Sequence, residues 1–146
     1  MNELDRKLIA ILQCNGRASN AHIARSVGIS EGTVRRRLRR LIDDHVIRVV
    51  AIPDLRRVGL YTVALVGLQV VLDRIDKVTD ELTRMKEITY VAVTTGAFDV
   101  FLWVAVPSAE DLGVFLREKI GAVSGVRRAE TFVNLSIKKH TYGPAM

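Results

Sequence analysis

The sequence predicts an α+β protein of two domains, a helical N-terminal domain and a C-terminal domain whose elements run β-α-β-β-α-β. Apolar residues recur at helical spacing in three short stretches before residue 45, and from residue 61 the pattern switches between strand and helix. Residues 1–57 hold 12 Lys and Arg against 6 Asp and Glu, a net charge of +6, whereas residues 58–146 hold 10 of each. The basic N-terminal domain, which we call the head, is therefore expected to bind a polyanion, and the neutral C-terminal domain, which we call the body, is expected to have a different function.

Two short helices open the head. Asn2 is placed to cap the first helix, and Asn15-Gly16 is a typical helix stop. The second helix is predicted over residues 20–27, and Gly28 permits the turn that follows it. One face of each helix is apolar, formed by Leu4, Leu8, Ile11 and Leu12 in the first and by Ile23, Ala24 and Val27 in the second.

The third helix, residues 30–42, is anchored on one side and cationic on the other. Val34, Leu38 and Leu41 recur at i, i+4 and i+7, while five arginines occupy residues 35–40. Ser30 is well placed as its N-cap. Two short helices around a Gly-containing turn form a helix-turn-helix, whose second helix enters the major groove of DNA. An arginine-rich face that is merely solvated is the alternative interpretation.

Double-stranded DNA is therefore the predicted partner of this helix. We expect base edges to be met by Gly32, Thr33, Arg35 and Arg36, and phosphates to be held by Arg39 and Arg40, with Ser30 at the start of the helix. Arg37 points towards the core edge, so its stem should pack and its guanidinium should reach back to water.

A wing and a connector are predicted next. Residues 46–52 are apolar and β-branched, which favours a strand from which Arg48 could reach a phosphate. The winged helix-turn-helix domain is accordingly placed at residues 1–52 and a polar connector at 53–60.

The body, residues 61–146, should be ferredoxin-like, an antiparallel four-stranded sheet with both helices on one face. Its strands are predicted at 61–72, 88–95, 98–106 and 126–140, its helices at 74–85 and 108–119, and a tight hairpin at Gly96-Ala97. Both faces of the first strand are apolar, which indicates a homodimer in which two sheets pack together.

These elements, in this order, resemble the Lrp/AsnC family of feast/famine transcription regulators over essentially the whole chain. The matching motifs are Leu4-Asp5 with Leu8 and Leu12, Gly16-Arg17 with Ser19, Gly28-Ile29-Ser30, Arg37-Leu38-Arg39-Arg40-Leu41 and Gly96-Ala97-Phe98-Asp99. His45 departs from the pattern, standing where the family usually has a helix-ending Gly. The resemblance implies a sequence-specific transcription regulator that binds DNA as a dimer or as an octamer built of dimers, and that responds, as many family members do, to an amino acid or related small molecule held by the body.

The predicted effector site is the turn in the body. Its backbone amides would meet a carboxylate and Asp99 an ammonium group, in a cleft between dimers formed by Thr94, Thr95, Gly96, Ala97, Phe98 and Asp99. A hairpin turn of purely structural role is the alternative.

Other classes of function have less support. His22, His45 and His140 are scattered without ligand spacing, so neither metal nor cofactor is expected. Cys14, the single cysteine, should be a small apolar filler in a cytoplasmic protein, and no segment reads as membrane-spanning. Some haem-pathway decarboxylases resemble the same family, but an enzyme would need a basic cleft, for which His140 with Arg127 and Arg128 are the candidates. A chromatin-like DNA-packing protein is the third class. We expect a regulator without enzymatic activity.

Overall fold

The structure of the chain is a computed structural model that describes residues 1–139. It divides into two compact units, Met1–Ile52 and Pro53–Lys138, so the predicted connector falls within the second. The first unit is helical and the second contains a sheet with helices, which confirms the predicted α+β class.

Three capped helices build the head: α1 (Glu3–Cys14), α2 (Asn20–Val27) and α3 (Glu31–Asp43). Asn2, Ser19 and Ser30 each accept a hydrogen bond from a backbone N–H of the first turn, which satisfies donors that have no partner inside the helix. Gly28 lies at φ 72°, the left-handed conformation that the turn between α2 and α3 requires.

The head has a small apolar core, as predicted from its helical periodicity. Leu8 of α1, Ile23 and Ala24 of α2 and Val34 of α3 are buried together. Cys14 is exposed at the end of α1, so the expectation that it fills the core is wrong. Cys14 is the last residue of the helix, two positions beyond Leu12, and it lies outside the buried cluster of the head.

Helix α3 ends at a turn in which His45 adopts the backbone conformation that the family's usual Gly would adopt. His45 has φ 56°, in the left-handed region where glycine is normally favoured. Two carbonyl groups of α3 accept hydrogen bonds in this turn, because the N–H of His45 donates to Ile42 (3.0 Å) and that of Val46 to Leu41 (2.9 Å). The chain thus ends the helix with a backbone conformation that costs a side chain about 1–2 kcal/mol.

The predicted wing strand is absent from the described part of the head. Residues 46–52 have no assigned strand, and Val49, Val50 and Ile52 are exposed. A β-rich sequence needs a neighbouring strand to complete its backbone hydrogen bonds, and the described head contains only helices besides this segment. Arg48 is exposed on this irregular segment.

The body is a four-stranded antiparallel sheet of order β2-β3-β1-β4, the predicted ferredoxin-like topology. The strands are β1 (Thr62–Val70), β2 (Ile88–Val93), β3 (Val100–Val106) and β4 (Val126–Val133). Helix α4 (Ile75–Leu82) follows a short 3₁₀ turn, and α5 (Ala109–Val114) continues as a π-helix over Phe115–Lys119. β4 ends seven residues earlier than predicted, and His140 lies outside the described residues.

The two faces of the sheet differ. Alternate residues of β1 and β3, including Val66 and Leu102, are buried against α4 and α5. The opposite face, which we call the open sheet face, carries Leu65, Gly67, Tyr90, Phe101, Trp103 and Phe132. No helix within residues 1–139 combines the length and apolar character needed to cross a membrane.

Candidate functional site

An open concavity of about 410 Å³ lies at the N-terminal end of α3. It is lined by Ser30, Gly32, Thr33, Arg35, Arg36 and Arg39, which are six of the seven residues that the sequence predicts to contact DNA. The structure therefore brings these six side chains to one surface of the head.

The concavity is shaped by small residues in the first turn of the helix. Ser30 Oγ accepts the backbone N–H of Thr33 (3.2 Å) and lies 2.9 Å from Thr33 Oγ1. A Cβ placed on Gly32 would meet nothing within 4 Å, so this position opens directly to solvent. The backbone of α3 is consequently accessible to a large partner at this end.

Three arginines at this surface are available to a ligand. Arg35, Arg36 and Arg39 are exposed, and none of them forms an ion pair with another residue of the described chain. Val34 and Leu41 on the other side of α3 are buried, which holds the helix in the head while its cationic side remains outside. The surface can accept a polyanion without breaking an internal ion pair.

Arg37 and Arg40 have a different environment, because both contact the buried carboxylate of Asp5 in α1. Arg37 Nη1 donates to Asp5 Oδ1 (2.8 Å) and Arg40 Nη2 to Asp5 Oδ2 (3.3 Å). The side chain of Asp5 is 1% exposed, that of Arg37 26% and that of Arg40 57%. Arg37 therefore does not extend to water as expected, since its guanidinium balances a buried charge. Asp5 belongs to a motif visible in the sequence, but that motif does not indicate which residues it contacts.

The pKa of Asp5 is held below its ordinary value of 3.8. The main cause is the hydrogen bond that the backbone N–H of Asn2 donates to Asp5 Oδ2 (3.0 Å). Burial acts in the opposite direction, and the hydrogen bond and charge of Arg37 and the charge of Arg40 add to the lowering. Asp5 is thus ionised at neutral pH and holds α1 and α3 together.

The predicted effector residues lie together on the loop 94–99 between β2 and β3. This loop is wider than the predicted two-residue hairpin, because β2 ends at Val93 and β3 begins at Val100. It is closed by hydrogen bonds from the backbone N–H of Thr94 to the carbonyl of Asp99 (2.9 Å) and from Thr94 Oγ1 to the carbonyl of Phe98 (2.9 Å). Thr94 therefore has a structural task in the loop.

Asp99 also has a partner within the body. Its Oδ2 accepts the backbone N–H of Val70 (2.8 Å), just beyond the last pair of β1 with β3, Leu68 with Val100. That N–H would otherwise lack a ladder partner, because the pairing of β1 with β3 ends at Leu68 opposite Val100. No sequence pattern pointed to this contact, since it depends on the register of two strands.

Phe98 fixes the loop to the open sheet face. Its ring lies against Gly67, where a Cβ would come within 2.7 Å of Phe98 Cγ. It also makes edge-on contacts with Phe101 (ring centroids 5.4 Å apart) and Phe132 (6.3 Å). Gly67 is therefore required by the close approach of the ring.

The tip of the loop is free to meet a ligand. Thr95, Gly96 and Ala97 are exposed, and their backbone N–H groups donate to no acceptor within residues 1–139. Gly96 has φ 109°, a backbone conformation that residues with side chains rarely adopt. The tip presents amide donors that suit an anionic group such as a carboxylate.

Comparison with known proteins yields two family matches. Residues 1–48 match a winged helix-turn-helix DNA-binding family, and residues 63–144 match the Lrp/AsnC ligand binding domain. The chain belongs to the Lrp/AsnC family of transcriptional regulators. One relative, an uncharacterized HTH-type transcriptional regulator of Pyrococcus furiosus, is 33% identical over 143 residues, which is 97% of each chain. This Lrp/AsnC protein is thus a DNA-binding regulator with a ligand-binding domain.

Solved structures share the fold of this Lrp/AsnC regulator. AsnC of E. coli has a TM-score of 0.89 at 22% sequence identity, covering 97% of each chain. A transcriptional regulator from Neisseria meningitidis, solved as a complex with L-Met, has a TM-score of 0.91 at 23% identity, covering 97% of this chain and 94% of that one.

The ion pairs of Asp5 with Arg37 and Arg40 should make the stability of the head depend on pH. Asp5→Asn should lower the free energy of unfolding of the head by about 1–3 kcal/mol at neutral pH, because two guanidinium groups lose their carboxylate. Since the folded-state pKa is lowered, this stabilisation is complete above the ordinary value of 3.8 and is lost as the pH falls through the folded-state pKa. The difference between wild type and variant should therefore shrink in acid.

Denaturant unfolding followed by far-UV circular dichroism measures this difference, since α1, α2 and α3 contribute most of the helix. Fluorescence of Trp103, the single tryptophan, reports the body and serves as the control. An Asp5→Asn head as stable as the wild type at neutral pH would show that the ion pairs do not stabilise it.

Proposed function

We propose that the concavity at the start of α3 reads operator DNA in the major groove. The observation that carries this proposal is the clustering, on one surface of a helix-turn-helix, of Gly32, Thr33 and three exposed arginines that form no ion pair within residues 1–139. Arg35 and Arg36 would meet base edges, for which the guanidinium fork is well matched to guanine, and Arg39 would hold a phosphate. The small residues Gly32 and Thr33 would let the helix approach the base pairs closely.

Arg40 was also predicted to hold a phosphate. Its guanidinium contacts Asp5 in the absence of DNA, so a phosphate would compete with that carboxylate. The primary contacts are therefore assigned to the residues that line the concavity.

The first DNA prediction concerns Arg36. Arg36→Ala should weaken binding to a preferred genomic fragment by roughly 1–3 kcal/mol and reduce discrimination against an unrelated duplex, because a base contact is lost. Genomic fragments retained by the immobilised protein supply the preferred duplex, and fluorescence anisotropy measures both affinities.

Arg84→Ala is the matched control, since it removes the same charge from an exposed residue of the body. It should leave both affinities close to those of the wild type. An equal loss on both duplexes for Arg36→Ala would assign Arg36 to phosphate and would favour the DNA-packing alternative.

The body is proposed to form a homodimer through its open sheet face. Aromatic and aliphatic residues of all four strands lie on this face, with Gln69, Arg128 and Glu130 at its β4 side, and Tyr90 on it is 59% exposed. Monomeric proteins rarely leave such a group of aromatic and aliphatic side chains facing water, and sheet packing would bury it. A symmetric dimer would present two heads to a pseudo-palindromic site. Association of dimers into octamers is proposed from the family resemblance.

Tyr90→Arg should convert the dimer into a monomer, because it places a charge within the proposed interface while changing a side chain that the monomer leaves exposed. Sedimentation velocity on the full chain measures the change. Val114→Arg puts the same charge at an exposed apolar position of α5 and should remain dimeric. Dimers that persist in Tyr90→Arg would place the interface elsewhere.

The loop 94–99 is proposed as the site of an amino-acid effector. Its tip offers unpaired amide donors for the carboxylate, and Asp99 retains one oxygen without a described partner for the ammonium group. L-Met is the first candidate to test, because the Neisseria meningitidis neighbour was solved with it. A ligand shared between dimers would shift their association and hence the placing of the DNA heads.

Ala97→Glu should abolish the response to the effector, since its carboxylate would repel that of the ligand from the neighbouring amides. Ala97→Gln, of equal size and without charge, is the control and should retain the response. Thermal shift and sedimentation with a panel of amino acids, L-Met included, measure binding and assembly. A response preserved in Ala97→Glu would move the site away from this loop.

We further propose that the protein acts in the cytoplasm as a regulator and not as an enzyme. The basic cleft required by the decarboxylase alternative is weakened by the pairing of Arg128 with Glu130 (2.6 Å). Arg127 alone among the described candidates remains for such a cleft, which is too little to bind a polyanionic substrate.

A further inference from the structure

We propose that Asp5 divides the arginines of α3 into two groups and thereby limits how many of them reach DNA phosphates. Arg35, Arg36 and Arg39 remain available, whereas Arg37 and Arg40 are retained by Asp5. This inference rests on the proposed reading of DNA by α3 and names a positioning residue that does not itself contact DNA.

The burial of Asp5 makes the retention strong. Its side chain is 1% exposed, and a buried carboxylate without a cation is costly, so at least one guanidinium has to stay beside it. Arg37 is the better placed of the two, because it is the less exposed and makes the shorter contact, 2.8 Å against 3.3 Å. Asn2 Oδ1 adds a further contact to Arg37 at 3.4 Å. Arg37 is therefore the fixed partner of Asp5.

Arg40 is the shared partner. Its side chain is 57% exposed, and its contact with Asp5 is the longer one, so it is placed between the carboxylate and the surrounding solvent. A DNA phosphate near α3 would have to compete with Asp5 for this guanidinium. Asp5 thus reduces the contribution of Arg40 to DNA binding without altering the residues that line the concavity.

The consequence is a gain in selectivity. Each phosphate that a protein neutralises adds about 0.9 to the slope of log affinity against log salt, and these contacts strengthen binding to every sequence alike. Withholding one cation weakens binding to arbitrary DNA, whereas base contacts from Arg35 and Arg36 are unaffected. A recognition helix with five arginines can in this way remain selective.

The test uses the full chain and a random-sequence duplex over a series of salt concentrations, so that no operator is needed. Asp5→Asn should steepen the salt slope by about one and tighten binding to this duplex several-fold at low salt. Asp5→Asn combined with Arg40→Ala should return the slope to the wild-type value. A purely structural role for Asp5 would lower affinity and leave the slope unchanged, which would overturn the inference.

Two single variants test whether Asp5 withholds Arg40 from phosphates even if Asp5→Asn fails to fold. Arg39→Ala should flatten the slope by about one, whereas Arg40→Ala, one residue along the helix, should change it much less. Equal flattening by both would overturn the inference and leave the proposed function standing. If neither Arg36→Ala nor Arg39→Ala changes DNA binding, the proposed function fails, and this inference fails with it.

Discussion

Helix α3 has to bury one side in the core of the head and expose a strongly cationic side to solvent, and the arrangement of the head depends on both requirements. Val34 and Leu41 are buried, Val34 among residues of α1 and α2, and each such side chain contributes roughly 1.5–3 kcal/mol of apolar burial. The same helix carries five arginines within six residues. Burial on one side fixes the direction in which the opposite side points, so the packing of a small core determines which cations face a partner.

Asp5 adds an electrostatic constraint on α3 to the one imposed by apolar packing. It caps the first turn of α1 together with Asn2, and it also contacts Arg37 and Arg40 of α3. One carboxylate thereby links the start of α1 to the middle of the recognition helix. The orientation of α3 and the distribution of its positive charge consequently depend on the same buried group.

In the body, contacts with the backbone of β1 hold the loop 94–99 in place, whereas in the head ion pairs hold α1 and α3 together. The ring of Phe98 packs against Gly67, and Asp99 satisfies the N–H of Val70 beyond the end of the pairing between β1 and β3. Both contacts connect the loop 94–99 to the central strand, whose apolar neighbours line the open sheet face. A ligand at the loop tip would therefore act on residues that belong to the proposed dimer interface, which gives a physical route from effector binding to assembly.

Local sequence patterns determined the helices, the strand order and six residues of the concavity, because caps, turns and apolar periodicity act over a few neighbouring residues. They overestimated two strands: residues 46–52 lack a partner strand, and β4 ends at Val133. Only the tertiary structure decided the partners of Arg37, Arg40 and Asp99. These contacts join residues 32, 35 and 29 positions apart in the chain. Such pairs form only when separate elements pack, so neither spacing nor composition could select one carboxylate or one backbone amide among many.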